Sequence, residues 1–526
     1  MNLFSPRKYS IFAGAIMALL AVNVSAEVLY TNPVIPGDHP DPSIIRVGKD
    51  YWATCTSSAW GPEFPLLHSR DLVNWEQTGA VLMHRPDWAR GDFWAPEISE
   101  FHGKFFVYFV ARARNGRLSV AVATADSPGG PYTGHNPIIA QEDGSIDPAP
   151  VIDTNGVRYL IWKEDGNSQN KTTPIWLQRL SDDGTGLVGE PHELIHNDAD
   201  WEGNLVEGPF ILRRGDWFYL FYSGSGCCGP GCNYALGVAR SHSLFGPWEK
   251  NPSNPIIAGN DAWKCPGHGS IVRTPDGKYF LLYHAYSRNS TIFTGRQGIL
   301  DEVTFGDDGW PVINQGKGPS IRAISPLGTV QKLTDGSFTN DFHGENLDGG
   351  WEWPQQLEPK YRLADGALHL SPNGSGTNFM AAVMARPTTA ADYVASTAIN
   401  ASALKPGVIA GISAFGNLEN ALGVALQDGK VVVWRRDHGQ MREIWTEPSP
   451  KTEKVFLRLT AANGYHFQFA ASQDGQNWNP CGGVVDAKKL PPWDLGVRVA
   501  LTVGGVAGAD GVFDSFSMRS LENPRN

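Results

Sequence analysis

The chain has 526 residues, more than one ordinary hydrophobic core holds, so two domains are expected. Its 41 % hydrophobic and 18 % charged content excludes wholesale disorder. A formal net charge of −11, without a long Lys/Arg cluster, argues against a nucleic-acid partner and fits a neutral substrate such as a sugar.

The N-terminus reads as an export signal over residues 1–26. Arg7 and Lys8 give a positive start, residues 11–22 an apolar stretch, and Val24-Ser25-Ala26 a small-residue cleavage site. A membrane anchor is the competing reading, but the stretch is short for a spanning helix, and no later segment is long and apolar enough to span. An exported, soluble protein is expected.

From residue 27 to about 325 one unit recurs five times. Each copy opens on a polar or aromatic residue followed by an apolar strand: Asp41-Pro42-Ser43-Ile44-Ile45, Trp94-Ala95-Pro96-Glu97-Ile98, Asp147-Pro148-Ala149-Pro150-Val151, Glu207-Gly208-Pro209-Phe210-Ile211 and His268-Gly269-Ser270-Ile271-Val272. A turn follows, such as Asn155-Gly156, and then an aromatic strand: Tyr51-Trp52, Phe105-Phe106, Tyr159-Leu160, Phe218-Tyr219 or Tyr279-Phe280. Five hairpin-rich units of this period predict an all-β, five-bladed β-propeller. The first strand of a propeller blade lines the central channel, so Asp41, Trp94, Asp147, Glu207 and His268 are expected on one rim of it. In the bland alternative the prolines merely start strands and the acids face solvent.

Six cysteines accompany the export signal. The run Cys227-Cys228-Gly229-Pro230-Gly231-Cys232 lacks paired zinc spacing and reads as a disulfide-pinned loop, with Cys265 a plausible partner for one of the three. Cys481 is expected to be free.

Three carboxylates beside a Trp suit glycoside hydrolysis. That reaction needs one carboxyl protonated for the leaving oxygen and one ionised. A third acid would raise the donor's pKa by like-charge repulsion. The Trp face can stack a sugar ring. The His could hold a water or a cation, or make a structural hydrogen bond. No Walker loop and no H-E-x-x-H zinc motif occurs.

These motifs, with Gly295-Arg296-Gln297 and Asp308-Gly309-Trp310-Pro311, give residues 34–319 a resemblance to glycoside hydrolase family 43. The resemblance implies an inverting mechanism, with Asp41 as general base, Glu207 as general acid and Asp147 tuning and positioning Glu207. It implies substrate contacts from Trp94, Arg296 and His39, and a central cation, often calcium, near His268. No cofactor is implied for the chemistry. Asp38 is a rival for Asp41 but lacks its flanking prolines. Members act on xylosides, arabinofuranosides, arabinan and some galactans.

Over residues 326–526 the motifs stop and short strands alternate with Gly/Asn/Asp turns, including residues 367–370, 421–426, 431–434, 455–459 and 465–469. This predicts a β-sandwich. It resembles the concanavalin-like jelly roll appended to family 43 xylosidases and arabinofuranosidases. Residues 338–342 and 513–516 are candidate neighbouring strands, and Asp341 and Asp514 candidate partners for a structural calcium. This domain binds glycan, shapes the rim or only stabilises the propeller. The leading expectation is an exo-acting hydrolase releasing arabinofuranose or xylose from plant cell-wall glycans. The alternatives are an endo-arabinanase or galactan-cleaving enzyme, and a sugar-binding propeller without catalysis. Binding alone needs no set of three acids, which weighs against the last.

Overall fold

The computed structural model describes Met1 and residues 27–522, apart from residues 290, 333–335, 375 and 377 and the side chain of residue 291. The expected leader, save Met1, lies outside the described residues. Five four-stranded antiparallel sheets form the first domain. Their innermost strands are Ser43–Val47, Ala89–Phe101, Ser145–Ile152, Val206–Arg214 and Trp263–Arg273. Each innermost strand touches those of its two neighbours, which closes the ring around a channel.

The repeated aromatics explain why the blades stack. A blade is buried on both faces, so its second strand is apolar at nearly every position rather than at alternate ones. Lys104–Ala113 has one exposed end and is otherwise almost wholly buried. One apolar cluster fills each gap between neighbouring blades. Tyr108 and Trp162 join the second and third blades, and Tyr219 and Tyr283 join the fourth and fifth. The last gap places Ile44 and Tyr51 of the first blade against Val272 and Leu282 of the fifth. Leu29–Thr31 pairs with Arg322–Ile324, so the two ends of the propeller segment meet.

The second domain is two packed sheets, of nine and six strands. The predicted strands appear as Ala367–Ser371, Ala421–Gln427, Lys430–Asp437, Lys454–Ala462 and His466–Ser472. Phe338–Asn340 pairs antiparallel with Gly511–Ser520, as the sequence suggested. Asp341 and Asp514 do not form a cation cradle. Asp514 faces the Lys454 ammonium at 2.9 Å, and Asp341 is exposed beside His343. Calcium needs six to eight oxygens, and a lysine beside the site opposes it.

The domains are fused rather than tethered. Trp353–Pro354 pairs with Trp60–Gly61 of the first blade. Asp38 sits buried against Arg498 of the sandwich at 2.5 Å and also accepts the Gly496 amide at 2.9 Å. Arg498 reaches Glu352 at 3.1 Å. Asp38 therefore joins the domains and is no rival for Asp41.

Candidate active site

All five rim residues of the repeat, Asp41, Trp94, Asp147, Glu207 and His268, line one cavity of about 610 Å³, and Arg296 lines it too. The backbone aims them there. Asp41, Asp147 and His268 have left-handed φ values of 52°, 56° and 42°. At Glu207 the following Gly208 takes the turn, at φ 58°. Ladder register slips at these points in the third, fourth and fifth blades. Such a bulge turns one side chain out of the strand's alternation and toward the channel. A Cβ on Gly208 would lie 2.9 Å from the His268 ring, which explains the glycine of that motif. His39, expected at the substrate, does not line the cavity. Its amide donates to the Arg296 carbonyl at 2.8 Å, and burial pushes its ring pKa down to about 4. It holds the Arg296 segment in place.

A second ring of residues, missed in the sequence, supports the first. At four of the five junctions a polar side chain near or just beyond the end of a blade's second strand reaches the opener of the next blade or the residue after it. Thr56 accepts the Ala95 amide at 2.7 Å, and Lys163 meets Glu207 at 2.7 Å. Ser223 accepts the His268 amide at 2.9 Å, and His284 Nδ1 lies 3.1 Å from Asp41. The signal was present, because Lys163, Ser223 and His284 directly follow the aromatic repeats ending in Trp162, Tyr222 and Tyr283.

Asp41 is held ionised. Burial alone would raise its pKa, but Arg296 at 3.0 Å, His268 at 3.5 Å and His284 outweigh burial and hold it well below the usual carboxylate range. Thr56 donates to its other oxygen at 2.7 Å. Burial keeps His284 neutral, with a pKa near 4. Arg296 follows Gly295, where a Cβ would collide with Asp38 at 2.0 Å.

Glu207 and Asp147 form the other pole. Burial alone would raise Glu207, but Lys163 reverses this and lowers it. Lys163 is itself buried and also donates to Asp165 at 2.8 Å and Asn167 at 2.9 Å. Asp147 accepts the Gly208 amide at 2.8 Å. Burial first, then the Glu207 charge, raises its pKa to about 6, against the pull of His268. The two groups titrate as a pair. The sequence reading had Asp147 raising Glu207. In the structure the proton favours Asp147, because the lysine sits on Glu207.

The cavity is completed from the other domain. Trp493 and Asp494 line it, in a sandwich loop with no motif to announce it. Trp493 meets Trp94 edge-on at 6.4 Å between ring centres. The Asp494 carbonyl accepts from Arg296 at 3.3 Å, and its carboxylate accepts from Ser58 at 2.5 Å. The same Ser58 hydroxyl receives the Trp94 indole at 2.8 Å. The sandwich thus shapes the rim, whichever other role it has. Cys227 and Cys228 line the cavity as well, joined to each other, while Cys232 pairs with Cys265. Cys55 and Cys481 are free and buried.

The cation implied at His268 finds a poor donor set. One imidazole faces Asp41, whose oxygen is already shared with the Arg296 guanidinium. Among the described residues no group of three His, Cys, Asp or Glu side chains is placed to hold a metal. A cation there would take most of its ligands from water.

Residues 30–311 match the description "Glycosyl hydrolases family 43", which is more than half of the chain. The chain belongs to this family. Residues 339–499 match the "Beta xylosidase C-terminal Concanavalin A-like domain". The "Xylosidase/arabinosidase 43B" of Humicola insolens is 29 % identical over 94 % of this chain and 98 % of its own length. The "Beta-xylosidase" of Bacillus subtilis (strain 168) is 26 % identical over 88 % of this chain and 92 % of its own. The crystal structure of the GH43 protein BlXynB from Bacillus licheniformis superposes with a TM-score of 0.81 at 27 % identity, covering 94 % of this chain and all of that one. The chain is therefore a glycoside hydrolase, and this family needs no cofactor for its chemistry.

Proposed function

We propose that the protein is an exo-acting, inverting glycosidase that removes xylose or arabinofuranose from the non-reducing ends of plant cell-wall glycans. The observation that carries this reading is the opposite setting of the two poles. Asp41 lies 3.0 Å from the Arg296 guanidinium, which holds its pKa down, while burial and the Glu207 charge raise Asp147 to about 6, so the Asp147–Glu207 pair keeps a proton to higher pH than Asp41 does. Asp41 takes a proton from water as the water attacks the anomeric carbon. The bond from that carbon to the leaving oxygen breaks, and the pair's proton passes through Glu207 to that oxygen. Trp94 stacks on the sugar, and Arg296 holds both Asp41 and the substrate. The wall made by Trp493 and Asp494 favours a pocket over an open groove, hence exo action. The relatives' names carry the two sugars.

Assay of nitrophenyl xyloside and arabinofuranoside beside xylo-oligosaccharides and arabinan tests the substrate. A folded protein inactive on all of them sinks the proposal. NMR of the first-formed anomer tests inversion, and a retained anomer contradicts a base acting through water.

Export completes the proposal. The N-terminal pattern of charged, apolar and small residues supports it. So do the two disulfides, which suit an oxidising compartment. Among the described residues no helix is long and apolar enough to cross a membrane.

A further inference from the structure

The cavity wall mixes charged and polar side chains, such as Arg112, Asp143 and Asn204, with apolar ones, such as Leu118, Leu205 and Trp493. The bridge between consecutive Cys227 and Cys228 belongs to the same wall. A disulfide stabilises chiefly by closing a loop in the unfolded chain, and more so for longer loops. A bridge between neighbours closes almost nothing. The Cys232–Cys265 bridge, across 33 residues, already anchors this segment. Its backbone is also held without the Cys227–Cys228 bond. Gly226 N donates to Asn233 Oδ1 at 2.9 Å, and Asn233 N donates to the Gly226 carbonyl at 3.0 Å. Gly229 N donates to the Tyr286 hydroxyl at 3.2 Å, and Lys264 to the Pro230 carbonyl at 3.3 Å. What the bond changes is the surface. It removes two thiol donors and fuses two side chains into one stiff, polarisable, apolar plate. Both cysteines remain partly exposed.

The position of the plate selects the sugar it meets. Glu207 pairs with Ser223 and Val206 with Gly224, so the segment leaves its strand beside the start of the acid's own strand. The leaving oxygen has to face that acid. We propose that the Cys227–Cys228 disulfide is the contact surface for the sugar on the leaving side of the scissile bond, seated against the apolar C–H face of its ring. This inference rests on the glycosidase reading above.

The test compares xylobiose or α-1,5-arabinobiose, whichever the wild-type protein cleaves, with the matching glycosyl fluoride, whose leaving group is too small to reach the plate. In the full-length Cys227→Ala/Cys228→Ala variant the ratio of kcat/KM on the disaccharide to that on the fluoride falls about tenfold, as expected for a lost apolar contact. The thermal midpoint stays close to the wild type, because the bridge closes no loop. Cys227→Ser/Cys228→Ser, of similar size but polar, shows the same fall and serves if the first variant does not fold. An unchanged ratio in an active variant overturns the inference alone. So does an equal loss on both substrates, which would place the disulfide in the scaffold or against the transferred ring. A wild-type protein that cleaves neither substrate overturns the functional reading, and this inference with it.

Discussion

Asp41 and Asp147 open the innermost strands of the first and third blades with the same left-handed turn, yet they hold opposite protonation tendencies. Both are buried. The difference lies in what the rest of the propeller delivers to them. Asp41 receives a guanidinium and two imidazoles from the fifth blade and the segment leading into that blade's third strand. Asp147 receives one backbone amide, a pull from His268 too weak to offset its burial, and a neighbouring carboxylate, while the nearby ammonium of Lys163 goes to Glu207. The repeat therefore supplies positions, and the strands behind it supply charge. Two carboxyl groups whose surroundings push them apart are what acid–base chemistry at one pH requires.

The hardest test of this contrast removes the proton donor. Glu207→Gln should lower kcat on disaccharides by roughly 10³-fold, within the range for loss of a general acid. Rescue of the rate by a good leaving group would confirm the role, whereas an unchanged disaccharide rate would exclude Glu207. Next in size, Arg296→Met should cost roughly 10²-fold in kcat/KM by misplacing Asp41 and the sugar. Because the lost cation held Asp41 ionised, its pKa rises, so the acidic limb of the pH profile should move to higher pH. A limb that stays put would mean that Asp41 does not set it.

Lys163→Met probes the other pole with a smaller effect. Without the ammonium, Glu207 keeps its proton to higher pH, so the alkaline limb should move up by about one unit or more. A shift downward would show that Lys163 does not act on the acid. The smallest effect concerns stability. Asp147, pushed up to about 6, binds its proton more tightly when folded than when unfolded. Its contribution to stability is therefore present at low pH and lost as pH rises through about 4 to 6. Asp147→Asn should stabilise the fold above that window by about 3 kcal/mol, with loss of turnover. Denaturant midpoints at pH 4 and 7.5 measure this, and equal changes at both would refute it.

The rim was legible because each opener is tied to a Pro or Gly and an apolar strand at a constant spacing. Its supporting ring was legible in principle, since a lysine after Leu160-Ile161-Trp162 contradicts a strand buried on both faces. It went unread because Lys163, Ser223 and His284 share a position and no chemistry. Trp493 and Asp494 carried no signal, being remote in sequence and placed by docking of the sandwich. His39 misled for the opposite reason: it stands beside Asp41 in the motif, but the turn at Asp41 sends the two side chains to different places. The cysteine run suggested a pinned loop, and pairing of Cys227 with its immediate neighbour was not foreseen.

The Arg296 guanidinium reaches both the Asp41 carboxylate and the Asp494 carbonyl. Its grip on the base is therefore shared between two separately foldable-looking units, and catalytic competence does not respect the border between them. A truncated gene ending after the fifth blade would encode a propeller with every motif intact and its arginine half-anchored. Conversely, grafting the sandwich of a relative onto this propeller would alter the active centre itself, so shuffling at that border becomes a way to retune sugar preference without touching one catalytic acid.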